Sequence, residues 1–417
     1  MTTRNILILF AAITTAIMQP PRADALGPAP RLDRVLFVGN NWDGTADVIA
    51  PDRGFARIGR INIIPDIDER MLEIVTDPVR LAYFLAIRQA VGEGHDQYVD
   101  DMFSSHDGRL LVVSRPSLRD VVAIDLRSLS LQTPQIAWRF VVDGQRADHM
   151  AMSPDGSRVA VSASTGNVVH VLDTFTGLEV GRFPSGDSPH ENNYSQAGDR
   201  IFHASIGLVY TPADQPFFDT TKGDRRFQIV DTASNQILRQ MNMGQKLAEA
   251  GYPDMSAAVR PMALSPDEQW LYFQVSFFHG FVEYDLVADR VTRLANLPDN
   301  HPETPREQYL LDSAHHGLAM NAAGTKLCVA GTMSDYAAIV DRATFTYRTI
   351  QHEDGAKPYW ATNSDDGKLC YVSWSGLDQI SAISYKTATE VARVDVGDHP
   401  QRMRTGVVPR GWPGING

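Results

Sequence analysis

A turn phrase centred on Asp-Gly recurs through this chain at near-regular intervals, each copy flanked by short β-rich segments. Self-similarity at a fixed period restricts the possible folds more than composition does. The clearest copy sets Ser153-Pro154-Asp155-Gly156 between a first strand starting near His149 and a second ending at Ser162, with further strands over 168–173 and 179–183. The turn returns at Asp107-Gly108, Ala197-Gly198, Pro266-Asp267, Ala323-Gly324 and Asp366-Gly367, each time leading into an apolar second strand. The period is about 42 to 48 residues where no insertion intervenes, the length of a four-stranded propeller blade.

The two ends complement one another. Residues 35–39, 46–50 and 56–61 read as a second, third and fourth strand without a first, and residues 397–407 as a first strand with nothing after it. Joining them in one blade makes seven blades and removes the exposed sheet edges. The rival, an open array of β-sheets, leaves both end strands unpaired. The expectation is an all-β, seven-bladed β-propeller over residues 33–408, closed by its terminal strands.

These phrases resemble the YVTN-type family of propellers, in which a Val-Gly-x-x-Pro strand start leads to Ser-Pro-Asp-Gly. Gly186-Asp187-Ser188-Pro189 and Gly397-Asp398-His399-Pro400 carry the first element, while Ser153 to Gly156 and Ser265-Pro266-Asp267 carry the second. The resemblance covers nearly all of residues 33–408. It implies the fold. For activity it implies only a spread, since relatives of this type include amine-dehydrogenase propeller subunits, lactonases and binding proteins.

Composition and the N-terminus narrow the setting. Hydrophobic residues make up 43% of the chain, enough for a proper core, and the net charge of −12 argues against a nucleic-acid partner. Arg4, the apolar run Ile6 to Ala16 and the small-x-small pattern Ala23-Asp24-Ala25 read as a signal peptide over residues 1–25. No later stretch reaches the ~18 apolar residues of a membrane span. The mature chain is therefore expected to be periplasmic or secreted, with an uncleaved signal acting as a tether as the alternative. Cys328 and Cys370 occupy equivalent positions on neighbouring blades. Export permits a disulfide, but a sheet spacing of ~10 Å exceeds disulfide reach, so two buried free thiols are expected.

Every long insertion falls on one face of such a propeller, the face opposite the Asp-Gly turns. Residues 62–99, 240–260 and 294–316 separate blades, and residues 207–226 interrupt a second-to-third strand turn. Loops of this length are usually functional or unstructured, and four on one face suggest a lid. Within the first, Asp77 as N-cap and Pro78 at the first helical position predict a helix to about Val91, ended by Gly92 and Gly94.

The repeat alignment also predicts which side chains reach the axis. First-strand starts bring together Asp100-Asp101, Asp148-His149, His190-Glu191, Arg260-Pro261, His316-Gly317, Tyr359-Trp360 and Gln401-Arg402, with His315 beside one of them. Such a polar ring is costly unless water, a metal or a ligand satisfies it. Trp42, Asp43, His279, Asp335 and Trp374 form an expected outer ring, with His279, Trp42 and Trp374 as candidate substrate walls. His203 reads as structural and His106 as lying on the far face.

Two chemistries fit the ring. In the first, His190 and His316, with His315 or His149 and with Glu191 or Asp148, hold a divalent transition ion such as Zn, Mn, Fe or Cu. In the second, a histidine (His149, His190 or His316) or Tyr359 moves a proton while Arg260 or Arg402 holds an anionic substrate group. Asp100, Asp101 and Trp360 complete the candidate substrate contacts, although Arg260 and Arg402 pairing only with Asp100 or Asp148 is an equal alternative. The chain has no Gly-x-Ser-x-Gly elbow, phosphate-cradling loop or Cys-x-x-Cys-His haem motif. The sequence reading is an exported small-molecule enzyme, metal-assisted or acid–base, of hydrolase, lyase or oxidoreductase type. Its rival is a non-catalytic binding or assembly propeller, including a subunit of a redox enzyme with a protein partner.

Overall fold

Seven four-stranded antiparallel sheets make up the computed structural model, which describes residues 31–412. The proposed signal peptide lies outside the described residues. Six blades run consecutively from their first to their fourth strand. The seventh joins Pro400–Pro409 as its first strand to Leu32–Asn40, Thr45–Ala50 and Ala56–Asn62, with Leu36 opposite Thr405. This is the closure expected from the complementary ends.

The recurring turn has a local cause. Asp155 accepts from the Ser153 hydroxyl (2.6 Å) and the Ser157 amide (3.0 Å), while Ser153 Oγ accepts from the Arg158 amide at 3.0 Å. Gly156 sits at φ 72°, a left-handed conformation that glycine adopts without strain. The same Ser–Asp pairing recurs in three further blades at Ser105–Asp107, Ser265–Asp267 and Ser364–Asp366, and in a fourth Ser195 bonds Asp199, four residues on. Second and third strands are buried on both faces because each blade lies between two others, which explains their unbroken apolar runs. Fourth strands alternate between partly buried and exposed positions at the rim.

The expectation of free thiols is overturned. Cys328 and Cys370 form a disulfide, with Cα atoms 6.4 Å apart. Two effects bring them inside the general sheet spacing. Blades are wedges that converge toward the axis, and both cysteines lie on second strands, Lys326–Gly331 and Leu369–Trp374. The interface around them is also small-residue packing, with Ala319, Ala330, Ala337 and Ala361 in the same cluster. A disulfide is consistent with an oxidising compartment, and no helix among the described residues is long and apolar enough to cross a membrane.

The insertion over 62–99 folds into two helices, α1 (Ile67–Thr76) and α2 (Pro78–Ala90). Asp77 caps α2 as expected, accepting from the amides of Val79 (3.0 Å) and Arg80 (3.1 Å). The sequence reading missed α1. A third helix, α3 (Met243–Glu249), buries Met243 and Leu247 against the core and decorates the rim.

Candidate functional site

Adjacent residues in a strand normally face opposite sides, yet the axial pairs converge. The reason is a register break at the start of the first strand. Pairing skips between Ala147 and Met150, Pro189 and Asn192, Val259 and Met262, and Pro358 and Trp360, and it slips again opposite Val38 and Asn40 beside Gln401 and Arg402. Each break takes axial residues out of the ladder and frees them to turn inward, two at a time at 148–149, 190–191, 260–261 and 401–402, and Tyr359 alone in its blade. Hydroxyls on the second strands satisfy the freed backbone: Ser114 Oγ accepts from the Asp101 amide (3.1 Å), Ser162 Oγ donates to the His190 carbonyl (2.8 Å), and Ser373 Oγ accepts from the Trp360 amide (3.0 Å). Gln274 does the same for Gly317, clasping its amide (2.9 Å) and carbonyl (3.1 Å) beside His316.

The bulges build a chamber of about 260 Å³ on the axis. Asp100, Asp148, His149, His190, Arg260, Tyr359 and Gln401 line its floor, joined by Arg146 and Ser164. The insertions supply its mouth: Tyr83, Ile87 and Val91 from the α2 end, Leu208 and Val209 from the 207–226 loop, and Leu311 from the 294–316 loop. A buried clamp ties the last two loops together, with Lys222 Nζ bonded to Asp214 and, at 3.0 Å, to Asp312.

Three imidazoles meet beneath this floor. Ring centroids lie 3.6 Å apart for His149 and His190, 5.7 Å for His190 and His316, and 6.1 Å for His149 and His316. One nitrogen from each falls within 4.8 Å of the others. His190 Nδ1 and His316 Nε2 are buried without a hydrogen-bond partner. Burial, then neighbouring cations and imidazoles, holds all three rings well below the ordinary histidine range, so they are neutral. Glu191 accepts from or shares a proton with His149 Nδ1 at 2.9 Å, and Arg402 Nη2 meets the same ring. His316 stacks on Tyr359 with centroids 4.2 Å apart.

A second group crosses the first at His149, where Asp100 and Asp148 also converge. Burial pushes the Asp100 and Glu191 carboxyls up to about 7 each, and it raises Asp148 as well. Arg402 lies 3.4 Å from Asp100 and stacks 3.8 Å from the Trp360 ring centroid. Asp101 has a different partner: Arg404 forks onto it at 2.8 and 2.9 Å and holds its carboxyl below the usual range against burial. Arg260, in contrast, finds no carboxylate within ion-pair distance among the described residues. Its Nε and Nη2 donate only to Ser276 Oγ, both at 3.1 Å.

Several expected residues stand elsewhere. His315 bonds Tyr336 Oη at 3.1 Å and packs edge-on to His279, outside the imidazole trio. His279 pairs with Tyr309 Oη at 3.0 Å. Trp42 is stacked between His95 and His399 at 3.9 and 3.8 Å, and fully buried Trp374 bonds Ser381 and stacks on His352. None of these four lines the chamber. His203 is buried between Ser185 Oγ (2.7 Å) and Asn192 Oδ1 (2.9 Å). Arg146 and Arg404 went unread in the sequence, although Arg404 sits two residues along the strand from Arg402, where alternation places it on the same face, and Arg146 immediately precedes the strand that carries Asp148.

The buried histidines make stability pH-dependent. Burial depresses His203 and His399 to about 3, whereas unfolded histidine titrates near ~6.5. The unfolded chain thus binds more protons below ~6.5, and stability falls as pH falls through that window. Between pH ~6.5 and ~5 each of the two costs about 2 kcal/mol. The metal-free trio and His315 act in the same direction. Asp100 and Glu191 act oppositely, because the folded chain holds their protons up to about 7. Histidines outnumber them, so denaturant midpoints are expected to drop from neutral pH to pH ~5. A midpoint that rises on acidification shows the carboxyls dominating.

No protein-family model matches the chain, and no curated protein sequence matches it. Among solved structures, hydrazine synthase of Kuenenia stuttgartiensis is similar at a TM-score of 0.56 and 15% identity, covering 76% of this chain and 96% of that chain. The similarity is one of fold.

Proposed function

We propose that the chain is an exported propeller enzyme acting on a small molecule over a three-histidine metal centre. The observation that carries this reading is the buried trio of neutral imidazoles, two of them with unpartnered nitrogens. Three imidazole ligands with one open position are a common catalytic arrangement, and they suit Zn, Mn, Fe or Cu. When bound, the ion supplies Lewis acidity to a carbonyl or lowers the pKa of a water. Glu191 orients His149 through Nδ1, the outer-shell contact that fixes a ligand's tautomer. Arg402 Nη2 holds the His149 ring in the protein alone, and Asp100, whose Oδ2 is unpartnered, is the neighbouring carboxylate onto which it can move when His149 ligates.

Asp148 and Asp100 reach the chamber with raised proton affinity and are placed to take and return a proton. Burial raises Tyr359 far above its ordinary range, so its hydroxyl serves as a donor and not as a base. The strand-start and Ser-Pro-Asp-Gly phrases support a place among YVTN-type propellers. The disulfide supports export.

The test compares metal-loaded with chelator-stripped protein against lactones, uronates and amines. Metal-dependent turnover of at least one class is expected. Equal turnover by the stripped protein would assign the work to the carboxyls alone, and metal bound without any turnover would make the chain a binding propeller or a subunit.

A further inference from the structure

Arg260 is the unresolved charge of the chamber. It is 1% exposed, lines the cavity, and has a serine hydroxyl as its sole hydrogen-bond partner. Its Nη1 donates to no protein atom among the described residues. Three other guanidiniums beside the axis have carboxylate partners: Arg404 has Asp101, Arg402 has Asp100, and Arg146 has Asp148 at 3.6 Å. Arg225 is a second cation without a carboxylate partner among the described residues: its side chain bonds the carbonyl of the lining residue Ile206 (2.9 Å) and Ser256 Oγ (3.4 Å). Burying an uncompensated guanidinium is expensive, and a planar fork with a free edge matches a carboxylate.

The apolar part of the lining has another character. Ile87, Val91, Ile206, Leu208, Val209 and Leu311 surround the mouth with aliphatic surface. The cavity, about 260 Å³, falls just under the ~300 Å³ at which small-molecule sites usually begin. We infer that the chamber takes a small monocarboxylate with an apolar body, its carboxylate on Arg260 and its chain against the aliphatic mouth. This deepens the small-molecule reading above and rests on it, but it does not depend on the metal.

Calorimetric titration with octanoate and with 1-octanol tests the assignment, first on chelator-stripped wild-type protein. Octanoate is expected to bind more tightly than the alcohol. In Arg260→Met the octanoate Kd is expected to rise about 10- to 100-fold, the loss of a charge-assisted pair, while the octanol Kd stays within about twofold. Arg260→Lys, which keeps the charge but loses the fork, falls between. Equal affinity of wild type for both probes, or octanoate binding unchanged in Arg260→Met, overturns the anchor. Octanoate bound only by metal-loaded protein also overturns it, by making the carboxylate a metal ligand and leaving the metal reading intact. Should Arg260→Met not fold, the wild-type comparison and Arg260→Lys still decide. Failure of the metal reading leaves the stripped-protein titration unaffected.

Discussion

Alanine at His190 or His316 is expected to weaken transition-metal binding by more than about 100-fold in a competition titration. Each substitution removes one of three ligands whose nitrogens converge within 4.8 Å. Glu191→Gln keeps the shape but alters the contact on His149 Nδ1, and outer-shell changes of that kind cost about 10- to 100-fold. The discriminating control is His315→Ala. His315 is the chain neighbour of His316, yet its ring belongs to Tyr336 and His279, so its removal leaves metal affinity unchanged. Equal losses in His315→Ala and His316→Ala would show that substitution disturbs the fold near the axis and not a ligand set.

Removing the disulfide is expected to cost about 4 kcal/mol, the chain-entropy value for a closed loop of this size. The bond joins residues 42 positions apart and bridges two blades, with several alanines packed around it. Cys328→Ser with Cys370→Ser should lower the denaturation free energy by that order while the native protein keeps its metal affinity, because neither cysteine touches the chamber. The two sulfurs are bonded to each other, so thiol reagents should find no reactive group even in the unfolded, unreduced protein. Two thiols titrating after unfolding without reductant would mean that the bridge does not form.

The fold was largely legible because the propeller writes itself repeatedly. Each Ser–Asp turn is a local hydrogen-bonded device, and complementary ends leave closure as the economical solution. The site was legible as a set of residues but not as a geometry. Alignment of first-strand starts found the axial pairs, since the breaks that turn axial residues inward recur at equivalent places. It left His149 and His315 as alternatives beside His190 and His316, because equivalent strand positions do not fix which way each ring turns. The outer aromatic ring failed to reach the chamber for a related reason. Trp42 and Trp374 find stacking partners in His95, His399 and His352, imidazoles whose equivalent positions in the other blades hold other residue types. The disulfide was missed because a general sheet spacing was applied to strands close to the axis of a wedge-shaped blade.

The most direct test of the three-histidine centre is elemental analysis of the purified protein after loading and exhaustive desalting. About one transition ion per chain is predicted for the wild type, retained by His315→Ala and lost from both His190→Ala and His316→Ala. A wild-type protein that stays metal-free after exposure to Zn, Mn, Fe and Cu in turn would contradict the account.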